Sequence, residues 1–191
     1  MPFGMDEYIQ SVVINGMVYV GGGNADTIVN DYTVMTYDIH SGRWGTLPPY
    51  RARFFGMTVI RDQLVLVGGQ DDGNCSKSLG VWRSDDKKWV DLYPDMPTPR
   101  YGSSVVTYNE WLIVAGGTNN GCLLSSVDVM NIDTKQWYSG PPAPRGFYSM
   151  KTAIVGDMCY YMGGYGGANG YATSNIYRVS LPALISQVKS R

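Results

Sequence analysis

A pair of glycines that closes a short apolar run restricts this fold more than any other feature, because it recurs at a nearly constant interval. The copies are Val18-Tyr19-Val20-Gly21-Gly22, Val65-Leu66-Val67-Gly68-Gly69, Ile113-Val114-Ala115-Gly116-Gly117 and Tyr160-Tyr161-Met162-Gly163-Gly164. The second glycines stand at 22, 69, 117 and 164, in steps of 47, 48 and 47 residues. A period of this length marks a repeat architecture, in which each unit buries its faces only against its neighbours.

The rest of each copy follows one pattern. A run of strand length comes first (Tyr8 to Ile14, Phe55 to Ile60, Gly102 to Tyr108, Phe147 to Val155), rich in Val, Ile, Thr, Ser and aromatics. A short polar turn, clearest at Asn15-Gly16, leads into the apolar run that ends in the glycines, so these two strands, A and B, form a hairpin. Strand B is continuously apolar, as expected of a strand covered on both faces. A loop rich in Gly, Asn, Asp and Ser follows, then an alternating strand C (Thr33–Asp38, Leu79–Arg83, Ser126–Asn131, Asn175–Val179). A second turn reaches Trp44, Trp89 and Trp137, spaced 45 and 48 apart, each opening a short strand D that closes in prolines. Four short strands and no helix per repeat predict four antiparallel blades, at about 8–48, 54–97, 101–141 and 147–186 of one domain spanning 1–191. Sheets so small must stack face to face around an axis. The glycines then mark where the backbone turns sharply against its neighbours, and the tryptophans are expected to anchor the packing between blades.

With 44% hydrophobic residues, 13% aromatics and 16% charged, the 191 residues have a folded composition, and the 24 glycines fit many tight turns. A formal charge of −1 gives no electrostatic reason to expect nucleic acid or a membrane surface as partner. Cys75, Cys122 and Cys159 form no C-x-x-C pair, and an odd set of thiols suits a reducing compartment, so the cytoplasm is expected. The start of the chain lacks the pattern of a signal peptide, although a chain beginning inside a longer protein would lack it too.

Together, the double glycine, the Tyr37-Asp38 type of strand ending, the tryptophan 20 to 22 residues after the glycines and the Pro-Arg step into the next blade resemble the kelch repeat family. The resemblance runs from about residue 8 to 181. It implies an all-β propeller of four-stranded blades, often six or seven in number, that binds proteins through loops on one face. Several such proteins present substrates to ubiquitin ligases, which makes ubiquitin-ligase machinery an indirect partner through a parent protein. Two departures stand out. The fourth copy has no tryptophan after Tyr177-Arg178-Val179, where Ser180-Leu181-Pro182-Ala183 stands, so its strand D is in question. Four blades are also few, which leaves a partial propeller from a longer chain, a homodimer completing a larger ring, or a small closed ring.

Candidate chemistry is sparse. Copper oxidases with this repeat need two histidines, and the chain has one, His40, in a turn after strand C. There is no G-x-S-x-G elbow, and Gly163-Gly164-Tyr165-Gly166-Gly167 lacks the Lys and helix of a phosphate loop and reads as a plain loop. No catalytic residue, metal or cofactor is therefore expected. For binding, Arg53, Arg100 and Arg145 each precede a strand A, with Arg51 beside the first. If strand A lines the axis, these arginines converge at one mouth of the channel, where guanidinium groups could grip an acidic peptide. The first copy has Met5-Asp6-Glu7 there instead. In the alternative reading, the Pro-Arg step is part of the repeat and its arginines bond to strand ends. Tyr101 and the loop tyrosines Tyr32, Tyr165 and Tyr171 would extend a binding face. Lectin-like recognition of sugars, or descent from an oxidase, are the other readings. The function expected is a non-enzymatic adaptor or scaffold domain.

Overall fold

The computed structural model describes residues 8–21, 33–166 and 171–190. Gly22, Tyr32 and Gly167 lie outside the described residues, as does the Met5-Asp6-Glu7 segment. Among the described residues no helix is long and apolar enough to cross a membrane. The chain divides into two compact units, Met1–Asp95 and Met96–Arg191.

In the first unit, strands β1 (Gln10–Ile14), β2 (Met17–Gly21), β3 (Met35–Asp38) and β4 (Arg43–Thr46) pair antiparallel in chain order. The second sheet holds β5 (Gly56–Ile60), β6 (Gln63–Val67), β9 (Leu79–Arg83) and β10 (Lys88–Val90) in the same order, with a small hairpin, β7 (Gln70–Asp71) and β8 (Asn74–Cys75), after the glycines. The core between them gathers Val34, Tyr50, Ala52, Phe55, Met57, Leu64 and Leu66, with Trp82 and Trp89 packed on it.

The first of these sheets differs from the second at its tryptophan. Trp89 pairs across from Trp82, three rows out from the Val67↔Leu79 pair, whereas Trp44 pairs across from Tyr37, two rows out from the Val20↔Met35 pair. Because Val20↔Met35 corresponds to Val67↔Leu79, Tyr37 matches Val81 and not Trp82. A slip of one residue turns a strand side chain to the other face. Trp44 accordingly does not anchor packing between blades. It lies 39% exposed against the Tyr37 ring, at 4.9 Å between centroids.

In the second unit, β11 (Ser104–Tyr108), β12 (Trp111–Ala115), β15 (Val127–Asn131) and β16 (Trp137–Ser139) form the third sheet, with the hairpin β13 (Thr118–Asn119) and β14 (Cys122–Leu123) again following the glycines. The fourth sheet has three strands among the described residues, β18 (Lys151–Val155), β19 (Met158–Met162) and β21 (Ile176–Ser180). Ahead of it β17 (Phe147–Tyr148) pairs with β20 (Tyr165–Gly166), so part of the Gly163–Gly166 stretch expected as loop is strand.

Where a fourth strand would stand, the chain turns into helix α1 (Leu181–Ile185). Its sequence explains this: Ser180 caps the helix, its hydroxyl accepting from the Ala183 N–H, and Pro182 sits in the first turn where no donor is needed. Leu181 and Leu184 are buried in a core with Val127, Val129, Phe147, Cys159 and Tyr161. The expectation of a helix-free chain is corrected at this point. Beyond α1, β22 (Lys189–Ser190) pairs with β16 and gives the third sheet a fifth strand.

The glycine pair does what its spacing suggested. Gly69 has φ +109, and a Cβ there would lie 2.6 Å from the Arg53 carbonyl oxygen. Arg53 and Gln70 bridge their backbones beside it, so the close approach ties the entry of strand β5 to the exit of β6.

Candidate functional site

Counting back from the second glycine of each pair, Arg53 stands sixteen residues before Gly69, Arg100 seventeen before Gly117 and Arg145 nineteen before Gly164. The three arginines therefore occupy three different structural positions. The residue sixteen before each glycine bridges or hydrogen-bonds across it: Arg53 to Gln70, Tyr101 to Thr118. In an extended segment the next residue points the opposite way, and that is where Arg100 falls, in line with the buried Ala52 and Phe147.

Arg100 is 0% exposed. Its Nη1 donates to the carbonyls of Gly116 (2.7 Å) and Ser126 (3.0 Å), and its Nη2 to the Ser126 hydroxyl (3.1 Å) and the equally buried Asp128 carboxylate (2.7 Å). Nε donates to the Thr98 carbonyl at 3.3 Å. The side chain thus pairs the Gly116 carbonyl and shares the Ser126 carbonyl with the Gly116 N–H, and a buried polar group left without a partner would be costly. As a partner-binding residue Arg100 is corrected: no part of it reaches a surface.

The remaining arginines differ in freedom. Arg53 is half-buried, its guanidinium 4.9 Å above the Phe54 ring and bonded to the Gln70 side chain at 3.3 Å. Arg51 is exposed and held by both oxygens of Asp91, with the Ser78 hydroxyl at 3.2 Å. The Asp91 carboxylate keeps its guanidinium even more firmly protonated than usual. Arg145 is exposed on the segment between the third and fourth sheets. Tyr101 is half-buried, and Tyr165 stacks on Tyr148 with ring centroids 5.0 Å apart. Tyr171 is exposed, as is His40, whose backbone N–H donates to Asp38.

Arg145 belongs to a further feature of the second unit that spacing did not predict. A cleft of about 360 Å³ opens between the third sheet, the fourth sheet and α1. Its floor is apolar (Ala115, Val127, Phe147, Tyr161, Val179, Leu184), one wall is the Pro141–Pro144 segment, and Arg145 stands on its lining. Arg178 also borders it, but it alternates with Tyr177 and Val179 along β21, which sends its side chain to the opposite face of the sheet.

At the matching junction in the first unit, among the described residues, aromatic rings occupy that place. Tyr50, nineteen residues before Gly69 as Arg145 is before Gly164, is buried there and packs against Gly80, where any Cβ would be 2.2 Å from its ring. Trp89 packs on Tyr50 at 5.2 Å and on Trp82 at 5.2 Å, and its indole N–H donates to the Pro48 carbonyl at 2.9 Å. In the fourth sheet Tyr177 stands in the row of Gly80 and Val179 in the row of Trp82. Trp89 has no counterpart, because α1 replaces the strand that would carry it. The missing tryptophan of the fourth repeat is thus a missing plug.

Comparison with known proteins matches residues 11–167 to the KLHDC2/KLHL20/DRC7 Kelch-repeats domain. Beta-scruin of Limulus polyphemus is 32% identical over 185 residues, which is 88% of this chain and 20% of that protein. Kelch-like protein 40 of Xenopus tropicalis is 29% identical over 136 residues, 70% of this chain and 22% of that protein. Acyl-CoA-binding domain-containing protein 5 of Arabidopsis thaliana is 24% identical over 180 residues, 87% of this chain and 27% of that protein. The chain spans between a fifth and about a quarter of the length of these curated relatives.

Proposed function

The chain belongs to the kelch-repeat family, and on that premise we propose that it is a non-enzymatic protein-binding module that holds an acidic or phosphorylated segment of a cytosolic partner. Arg145 is the principal contact, and Arg53 serves the same chemistry on the first unit. The observation that carries the reading is the state of Arg145. It is exposed on the rim of an apolar cleft, and no acidic side chain is among the described residues that line that cleft. A guanidinium so placed pairs in bidentate fashion with a carboxylate or phosphate. Arg51, by contrast, is already engaged by Asp91 and contributes charge to the surroundings more than a free fork.

Fluorescence anisotropy with labelled acidic, phosphorylated and neutral peptides tests this. Arg145→Glu should weaken the acidic and phosphorylated peptides at least about tenfold and leave thermal unfolding nearly unchanged, since Arg145 is exposed, and Arg53→Glu, at a half-buried site, should weaken them further. Equal binding by the wild type and the double variant would contradict the proposal.

A further inference from the structure

We infer that the cleft of the second unit receives an aromatic side chain from the partner, inserted beside an acidic residue that pairs with Arg145; this rests on the protein-binding reading above. Three observations point to that occupant. First, the same place in the first unit is filled by aromatic rings, Tyr50 and Trp89, and the cleft exists because Arg145 and α1 stand in their stead. Second, the indole of Trp89 ends on the Pro48 carbonyl, twenty-one residues before Gly69. The residue twenty-one before Gly164 is Ala143, which lines the cleft and whose carbonyl accepts no hydrogen bond among the described residues. An incoming indole or phenol would find there the acceptor that Trp89 finds in its own sheet. Third, the charged residues among the described ones that line the cleft, Arg145 and Arg178, are both cations, so the flanking residue of the ligand is an anion.

The chemistry is that of an anchor residue. A flat ring desolvated between a proline wall and an aliphatic floor gains most of its binding from burial, while the polar atom at its edge and the ion pair at the rim fix its orientation. The volume falls at the lower end of the range for small-ligand sites, enough for one large side chain and not for a folded element.

The test uses three blocked, fluorescein-labelled pentapeptides: one with a central tryptophan between acidic residues, its central-alanine counterpart, and a central-tryptophan version with the acids replaced by glutamine. Titrated into the whole chain, the acidic tryptophan peptide should bind at least about tenfold more tightly than either of the others. Ala183 is exposed on α1 and lines the cleft. Ala183→Trp should fill the cleft from within and abolish the preference for tryptophan over alanine, with the melting temperature confirming that the chain folds. Arg145→Glu should remove the preference for acid over glutamine and spare the preference for tryptophan. If the tryptophan and alanine peptides bind alike, or if Ala183→Trp changes nothing, the inference is overturned, while an acid preference that Arg145→Glu abolishes would leave the proposed function standing. Failure of every acidic peptide to bind would overturn both.

Discussion

At the scale of single residues, Arg100 and Asp128 separate structure from function. Both are fully buried and joined at 2.7 Å. Removing one partner leaves an uncompensated charge, so Arg100→Ala or Asp128→Ala should destabilise folding by about 3–5 kcal/mol in chemical denaturation, whereas Arg145→Ala should cost under about 0.5 kcal/mol. Glycine positions can be ranked in the same way. Gly69→Ala adds a backbone clash to a forbidden φ, while at Gly73, φ +84, an added Cβ meets nothing within 4 Å. Denaturation should show a loss of about 1 kcal/mol for Gly73→Ala and at least about 3 kcal/mol for Gly69→Ala. Thiol reactivity gives a third residue-level readout. Cys122 is exposed, while Cys159 is buried and its thiol is held above its usual pKa by desolvation. Alkylation at neutral pH should modify Cys122 rapidly and Cys159 only in step with global unfolding.

At the scale of strands and helices, the sequence was most legible where a constraint is local. The hairpins and the double glycines could be placed because a positive φ and a close backbone approach demand glycine at one position. What could not be placed were one-residue slips. Arg100 looks like Arg53 in any tally of arginines ahead of strand A, yet alternation sends one inward and leaves the other half-buried. Trp44 is likewise displaced by one position from the row that Trp89 occupies. Measuring each residue back from the second glycine would have separated the three arginines without a structure. Helix α1 was written in Ser180 and Pro182, but the repeat frame favoured a strand there, and the pairing of β22 with β16 joins segments too far apart in sequence for any local signal. The plug itself is testable at this scale. Trp89→Ala should destabilise by about 3 kcal/mol, and Trp89→Phe by about 1 kcal/mol for the lost bond to the Pro48 carbonyl, both by urea denaturation.

At the scale of the whole molecule, each unit carries two sheets of three or more strands among the described residues, and on one face of the fourth sheet apolar side chains are exposed. Val155 is 67% exposed and Ile176 66% exposed, on the face that Met158, Met162 and Arg178 share by register. An apolar face of that kind limits solubility, so Val155→Lys with Ile176→Lys should raise the concentration at which light scattering begins. Binding is the other whole-molecule property, and a charge swap tests it most directly. Isothermal titration of Arg145→Glu should show loss of the acidic tryptophan peptide and gain of its lysine-flanked counterpart, which the wild type should not bind. If the acidic peptide binds both proteins equally and the lysine peptide neither, Arg145 is not the contact and the account of this chain as an acidic-segment receptor is wrong.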